Sequence, residues 1–95
     1  MFHSIIQTMI KAKIELLLTE AFKPVYLSVV DESHKHAGHA GASQGGHYQV
    51  TIVSNVFEGK KLLETHRMIY QALEPIKSSI HALTINARAT QNSGH

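Results

Sequence analysis

The sequence contains no cysteine. That excludes disulfides, thiol catalysis and a self-contained thiolate metal centre, so any metal here must be held by imidazole, carboxylate or a partner's sulfur. Long hydrophobic runs are also missing. The apolar opening MFHSIIQTMIKAKIELLL is broken by Lys11, Lys13 and Glu15, and nothing approaches the roughly 20 apolar residues of a membrane span. No positive charge precedes that opening and no small-residue cleavage site follows it. A signal peptide is therefore not expected, and a cytoplasmic protein is. Catalytic signatures are absent as well: there is no Gly-x-Ser-x-Gly, no His-Glu-x-x-His and no phosphate loop. Asp31 and Glu32 are adjacent and point to opposite faces of an extended strand, so they do not form an acid/base pair. An enzyme is not expected.

What is present suits one small domain. The 95 residues, 43% of them hydrophobic, can build a core, but one too modest to enclose a substrate cavity of the usual enzyme size. A surface site or partner interface is the expectation. The formal net charge is +2 with neutral histidines, and there are eight histidines, so the charge rises steeply below about pH 6.5. This mild basicity permits nucleic-acid contact without indicating it, since DNA-binding modules concentrate Lys and Arg more strongly.

Spacing predicts the elements. Ile6, Ile10, Ile14, Leu17 and Ala21 form the stripe of a first helix, with Ser4 and Gln7 spaced as a capping box. Pro24 ends that helix by disfavouring helical geometry at Lys23. Val25 to Asp31 alternates as a strand, and His47 to Ser54 as a second with Tyr48, Val50 and Ile52 on one face. Lys60 to Leu73 returns to helical spacing, with Leu62, His66, Ile69 and Leu73 in one stripe. Pro75 opens a short helical turn. Ile80 to Ala87 is the third strand, with His81, Leu83, Ile85 and Ala87 on one face. The order is α-β-β-α-(short α)-β, an α+β domain with a three-stranded mixed sheet and helices packed on one face. Its core runs from about residue 4 to 87. The 14-residue connection 33–46 reads as a flexible loop and residues 88–95 as a mobile tail.

The connection, SHKHAGHAGASQGG, carries His34, His36 and His39 among glycines and alanines. Such a tract reads either as a solvated segment or as a ligand for zinc, nickel or copper, and spacing leaves both open. His66, on an apolar stripe, reads as a structural histidine hydrogen-bonded in the core. His81 lies at a strand start, where a side chain can emerge at the sheet's end, but period 2 sets it with Leu83, Ile85 and Ala87, and spacing alone reads it as a half-buried structural histidine. Lys60, Lys61 and Arg67 lie off the helix stripe, where they form either a solvated face or a surface for an acidic partner or phosphate.

Taken together, VVDESHKHAGHAG, GHYQVTIVS, FEGKKLLETHRMIY and IHAL resemble the BolA family. The resemblance runs from about Ile10 to Ala87, and its most specific parts are Phe57-x-Gly59, His66-Arg67-Met68-Ile69-Tyr70 and His81-Ala82-Leu83. It implies a fold like the class II KH domain and a partner, a monothiol glutaredoxin, with which a [2Fe-2S] cluster is shared in iron–sulfur trafficking or iron regulation. Glutathione would come with the glutaredoxin. The family's C-terminal ligand falls on His81 and its loop ligand on His36, with His39 or His34 as substitutes. Histidines can replace cysteines on one iron of such a cluster, as in Rieske centres. Thr65 stands where relatives often carry arginine, which lowers the charge of that helix. The resemblance also implies DNA-binding transcription regulation as an alternative, supported by Lys60, Lys61 and Arg67. No Gly-x-x-Gly lies between the helices to clamp a nucleic-acid backbone. Alone, the chain is expected to be a monomer or weak homodimer.

Overall fold

A computed structural model describes residues 2–32 and 46–90; within the first helix, side chains are described from Ile5 onward. The first helix, α1, spans Phe2–Phe22. Ser4 therefore lies inside the helix and is not its cap. The buried stripe is Gln7, Ile14, Leu18 and Phe22, flanked by partly buried Ile10 and Leu17. Ile6 is 55% exposed and Ala21 is exposed too, which corrects two positions of the expected stripe. Lys23 ends the helix in the left-handed region with φ 46°, its N–H donating to the Thr19 carbonyl at 2.9 Å. This is the single-bond C-terminal motif, reached just before Pro24.

Strand β1 spans Tyr26–Asp31 and β2 spans Gly46–Val53. After β2 comes a short 3-10 turn, Asn55–Phe57, then helix α2, Leu62–Ala72, a second 3-10 segment, Glu74–Ser79, and strand β3, Ile80–Arg88. The sheet order is β1-β2-β3, with β2 antiparallel to β1 and parallel to β3. A parallel pair needs a crossover, and α2 supplies it. The fold is thus the expected α+β arrangement with a three-stranded mixed sheet. Its boundaries differ slightly: β2 takes in Gly46, the last residue of the expected loop, and β3 takes in Arg88, the first residue of the expected tail.

Strand alternation puts Val29, Tyr48, Val50 and Ile52 into the core with Ile14, Leu18, Phe22, Phe57, Ile69 and Leu73. The Phe22 and Phe57 rings meet at 5.0 Å between centroids. Beside them the buried Ser54 hydroxyl donates to the Phe22 carbonyl at 2.6 Å and accepts from the Val56 N–H at 3.2 Å. One hydroxyl thereby satisfies the end of α1 and the start of the 3-10 turn.

On α2 the buried residues are Thr65 and Ile69, continued by Leu73. Leu62 is 67% exposed, so of the expected stripe Ile69 and Leu73 are buried and His66 half-buried, while Thr65 takes the place of Leu62. The Thr65 hydroxyl caps this change by donating to the Leu62 carbonyl at 2.7 Å. At the helix start the Glu64 carboxylate accepts from the Lys61 N–H at 3.0 Å, where a negative charge is favoured. Gly59 precedes it with φ +77°, a conformation that costs other residues about 1–2 kcal/mol.

Candidate functional site

The start of β3 departs from regular pairing. Gly46 faces Ile80, yet His47 faces Ala82, so the register slips by one between Gly46 and His47. His81 is the extra residue on β3. In a regular strand it would share the inward face of Leu83, Ile85 and Ala87. Here those three pack against the core, and His81 is exposed. A bulge re-aims a side chain in this way. Period-2 counting could not show it, because the inserted residue shifts the phase by one.

His81 edges a groove of about 80 Å³ between α2 and β3, lined also by Tyr70, Leu73, Lys77, Ile80, Ala82 and Leu83. Its floor is apolar, and Lys77 stands at the rim in an exposed ion pair with Glu74 at 3.0 Å. Such a pair is worth little in water, so the ammonium remains open to exchange. An exposed imidazole beside an apolar floor can ligate a metal or meet a partner's polar group while its surroundings lose water.

At the same end of the sheet, Gly46 admits the close approach of two side chains from different elements. The Tyr48 hydroxyl donates to Gln7 Oε1, a buried bond between β2 and α1. A Cβ on residue 46 would stand 2.5 Å from Tyr48 Cε2 and 2.6 Å from Gln7 Oε1. Burial, and secondarily the charge of Asp31, pushes the Tyr48 pKa up to about 12. Gln7, expected as a capping partner of Ser4, instead anchors the sheet.

His34, His36 and His39 lie outside the described residues. Among the described residues, no group of three or more His, Asp or Glu side chains is placed to hold a metal ion. His66 is half-buried on α2, and its Nε2 is enclosed without a hydrogen-bond partner among the described residues. The core hydrogen bond expected of it is therefore not made through that nitrogen.

Lys60, Lys61 and Arg67 are all exposed. Lys60 lines a second groove, of about 270 Å³, between the start of α2 and the end of β3, together with Gly59, Leu62, Thr65 and Arg88. Lys61 and Arg67 do not line it. Arg88 is a cation that the sequence reading missed by placing it in the tail. The available signal was alternation: with Ala87 inward, residue 88 points out.

A family profile described as BolA-like protein matches residues 18–92. The chain is 44% identical over 79 residues to the DNA-binding transcriptional regulator BolA of Escherichia coli (strain K12), which covers 82% of this chain and 73% of that protein. It is 44% identical over 80 residues to Protein BOLA2 of Arabidopsis thaliana, covering 84% of this chain and 77% of that protein. Among solved structures, the BolA domain of SufE1 from Arabidopsis thaliana superposes with a TM-score of 0.72 at 41% identity, covering 83% of this chain and 90% of that one. Sequence and fold agree, and this chain belongs to the BolA family.

Proposed function

We propose that this chain is a non-enzymatic binding protein that holds a bridging [2Fe-2S] cluster jointly with a monothiol glutaredoxin. The observation that carries the reading is the bulge at His81: it turns an imidazole out of the packed face to the solvent, beside an apolar groove. A chain without cysteine, and without a metal-holding cluster among its described residues, suits half a site completed by a partner. His81 would supply one nitrogen ligand and His36 the other, with His39 as its substitute. The partner's cysteine and a glutathione thiol would supply sulfur to the second iron. The cluster is cargo, acting in iron–sulfur trafficking or iron regulation. Mixing the chain with cluster-loaded glutaredoxin and recording visible absorption and circular dichroism tests this. Wild type should give a spectrum distinct from that of the glutaredoxin alone, and His81→Ala should lose it while keeping its fold. An unchanged spectrum in His81→Ala would end the assignment.

DNA-binding regulation is the second reading, favoured by the Escherichia coli relative, a DNA-binding transcriptional regulator, and by Lys60 and Arg88 flanking one groove. Each cation that neutralises a phosphate contributes about 0.9 to the slope of log affinity against log salt. Lys60→Gln and Arg88→Gln should each reduce that slope in duplex titrations; a slope unmoved by both removes this groove from any DNA contact.

A further inference from the structure

Strand β3 is an edge of the sheet, and among the described residues no backbone group bonds to its outer side. The Ser54 N–H donates to the Arg88 carbonyl at 3.0 Å, so Arg88 turns its backbone groups towards β2. In a parallel ladder that direction alternates along the strand, which leaves the N–H and C=O of Leu83, Ile85 and Ala87 pointing to the free edge. Proteins usually blunt such an edge with lysine, proline or a short strand. Here β3 is nine residues long, IHALTINAR, with neither proline nor lysine, and past its bulge residues 82–88 pair with β2 without a slip.

Helix α2 packs against β3, and the Lys60 and His81 grooves both lie in the seam between them. Leu62 and Ala87 line the one at the end of β3; Tyr70 and Leu83 line the one at its start. Leu62, His66 and Tyr70 are spaced by four and share one flank of α2, which puts His66 between the two grooves. Its enclosed Nε2 has no partner among the described residues, so the seam carries an unmet hydrogen-bonding group. The charge is one-sided. Lys60 and Arg88 stand at one groove, Lys77 and His81 at the other, and no carboxylate lines either among the described residues.

We propose that this seam is a docking groove for an extended, acidic segment of a partner protein, which adds to β3 as a fourth strand. Three features select that occupant. The free edge offers a donor and an acceptor at every second residue, a pattern matched by a polypeptide backbone and not by a sugar–phosphate chain. The grooves present Leu62, Leu73, Leu83 and Ala87, which suit alternate side chains of an added strand. The cations at both ends complement carboxylates, whereas two cations at the Lys60 groove give a nucleic acid only a small phosphate footprint. Docking of this kind needs neither a cluster nor His36, so it stands apart from the cluster reading.

Nuclear magnetic resonance titration of the isotope-labelled full chain tests this. The probe is a capped peptide of alternating valine and threonine with an aspartate at each end, added up to about 5 mM. The amides of Leu83, Ile85 and Ala87 should shift with a Kd of about 1 mM or tighter, and their exchange with solvent should slow. Of two versions N-methylated at alternate backbone nitrogens, the one whose N–H groups face β3 should bind at least about tenfold more weakly, and so should a peptide ended by lysines. Lys60→Glu combined with Lys77→Glu, both at exposed positions, should weaken the acidic peptide at least about tenfold, with circular dichroism showing an unaltered fold. No shift up to about 5 mM, shifts that spare β3, equal binding of aspartate-ended and lysine-ended peptides, indifference to both N-methylated versions, or an oligothymidine that shifts the same amides more tightly would each overturn the proposal.

Discussion

Replacing Gly46 with alanine adds one methyl group at the junction of α1, β2 and β3. That Cβ would lie 2.5 Å from Tyr48 Cε2 and 2.6 Å from Gln7 Oε1. Tyr48 is fully buried and cannot swing away, so Gln7 or the start of β2 must move. Overpacking of this kind costs about 1–3 kcal/mol. Parting the Tyr48 hydroxyl from Gln7 leaves buried polar groups unsatisfied, at a further cost of about 1–3 kcal/mol. The expected loss is about 2–6 kcal/mol, a large share of the 5–15 kcal/mol typical of a domain. In urea unfolding followed by far-UV circular dichroism, at a slope of about 1.5 kcal/mol/M, the midpoint should fall by about 1.3–4 M. The Gln7→Ala background provides the internal control, because Gly46→Ala should cost less there and the two effects should fail to add. A Gly46→Ala loss below about 0.5 kcal/mol would refute the close-approach argument. Gly46 also pairs with Ile80 immediately before the His81 bulge, so cluster spectra with glutaredoxin should weaken in the same variant.

Three further outcomes follow from the same geometry. Tyr48, its pKa pushed up to about 12 by burial and then by Asp31, holds its proton in the folded state above the pH at which an unfolded tyrosine loses it. Its contribution is therefore complete below pH 10 and lost as pH rises towards 12, on the order of 2 kcal/mol; urea midpoints from pH 9 to 12 should fall less in Tyr48→Phe than in wild type. Ser54→Ala removes the bond to the Phe22 carbonyl and should cost about 1–3 kcal/mol in chemical unfolding, with no effect on glutaredoxin binding. Ile69→Ala, fully buried, should cost about 2–5 kcal/mol, while Leu62→Ala should stay within about 0.5 kcal/mol; equal losses would return Leu62 to the core.

The elements themselves were legible because local rules decide them. Pro24 could only end α1, alternation around Tyr48, Val50 and Ile52 could only serve a strand with one buried face, and the residues of Phe57-x-Gly59 and His81-Ala82-Leu83 carried the family. Which face each helix buries was less legible. α1 carries apolar residues on both sides, so periodicity favoured Ile6 and Ala21 as readily as Leu18 and Phe22, and only packing against the sheet chose between them. On α2 the polar Thr65 displaced Leu62 from the core because its hydroxyl is satisfied by its own helix.

By itself, then, the sequence determined the order of elements, the mixed sheet, the family and the absence of any thiolate of its own. Tertiary structure alone decided three things: that Gln7 serves β2 through Tyr48, that Arg88 joins Lys60 at one groove, and that His81 faces solvent. The physical reason is common to them. Each depends on how separate segments are set against one another, and a slip of one residue between Gly46 and His47 reverses the direction of a side chain without altering any local preference.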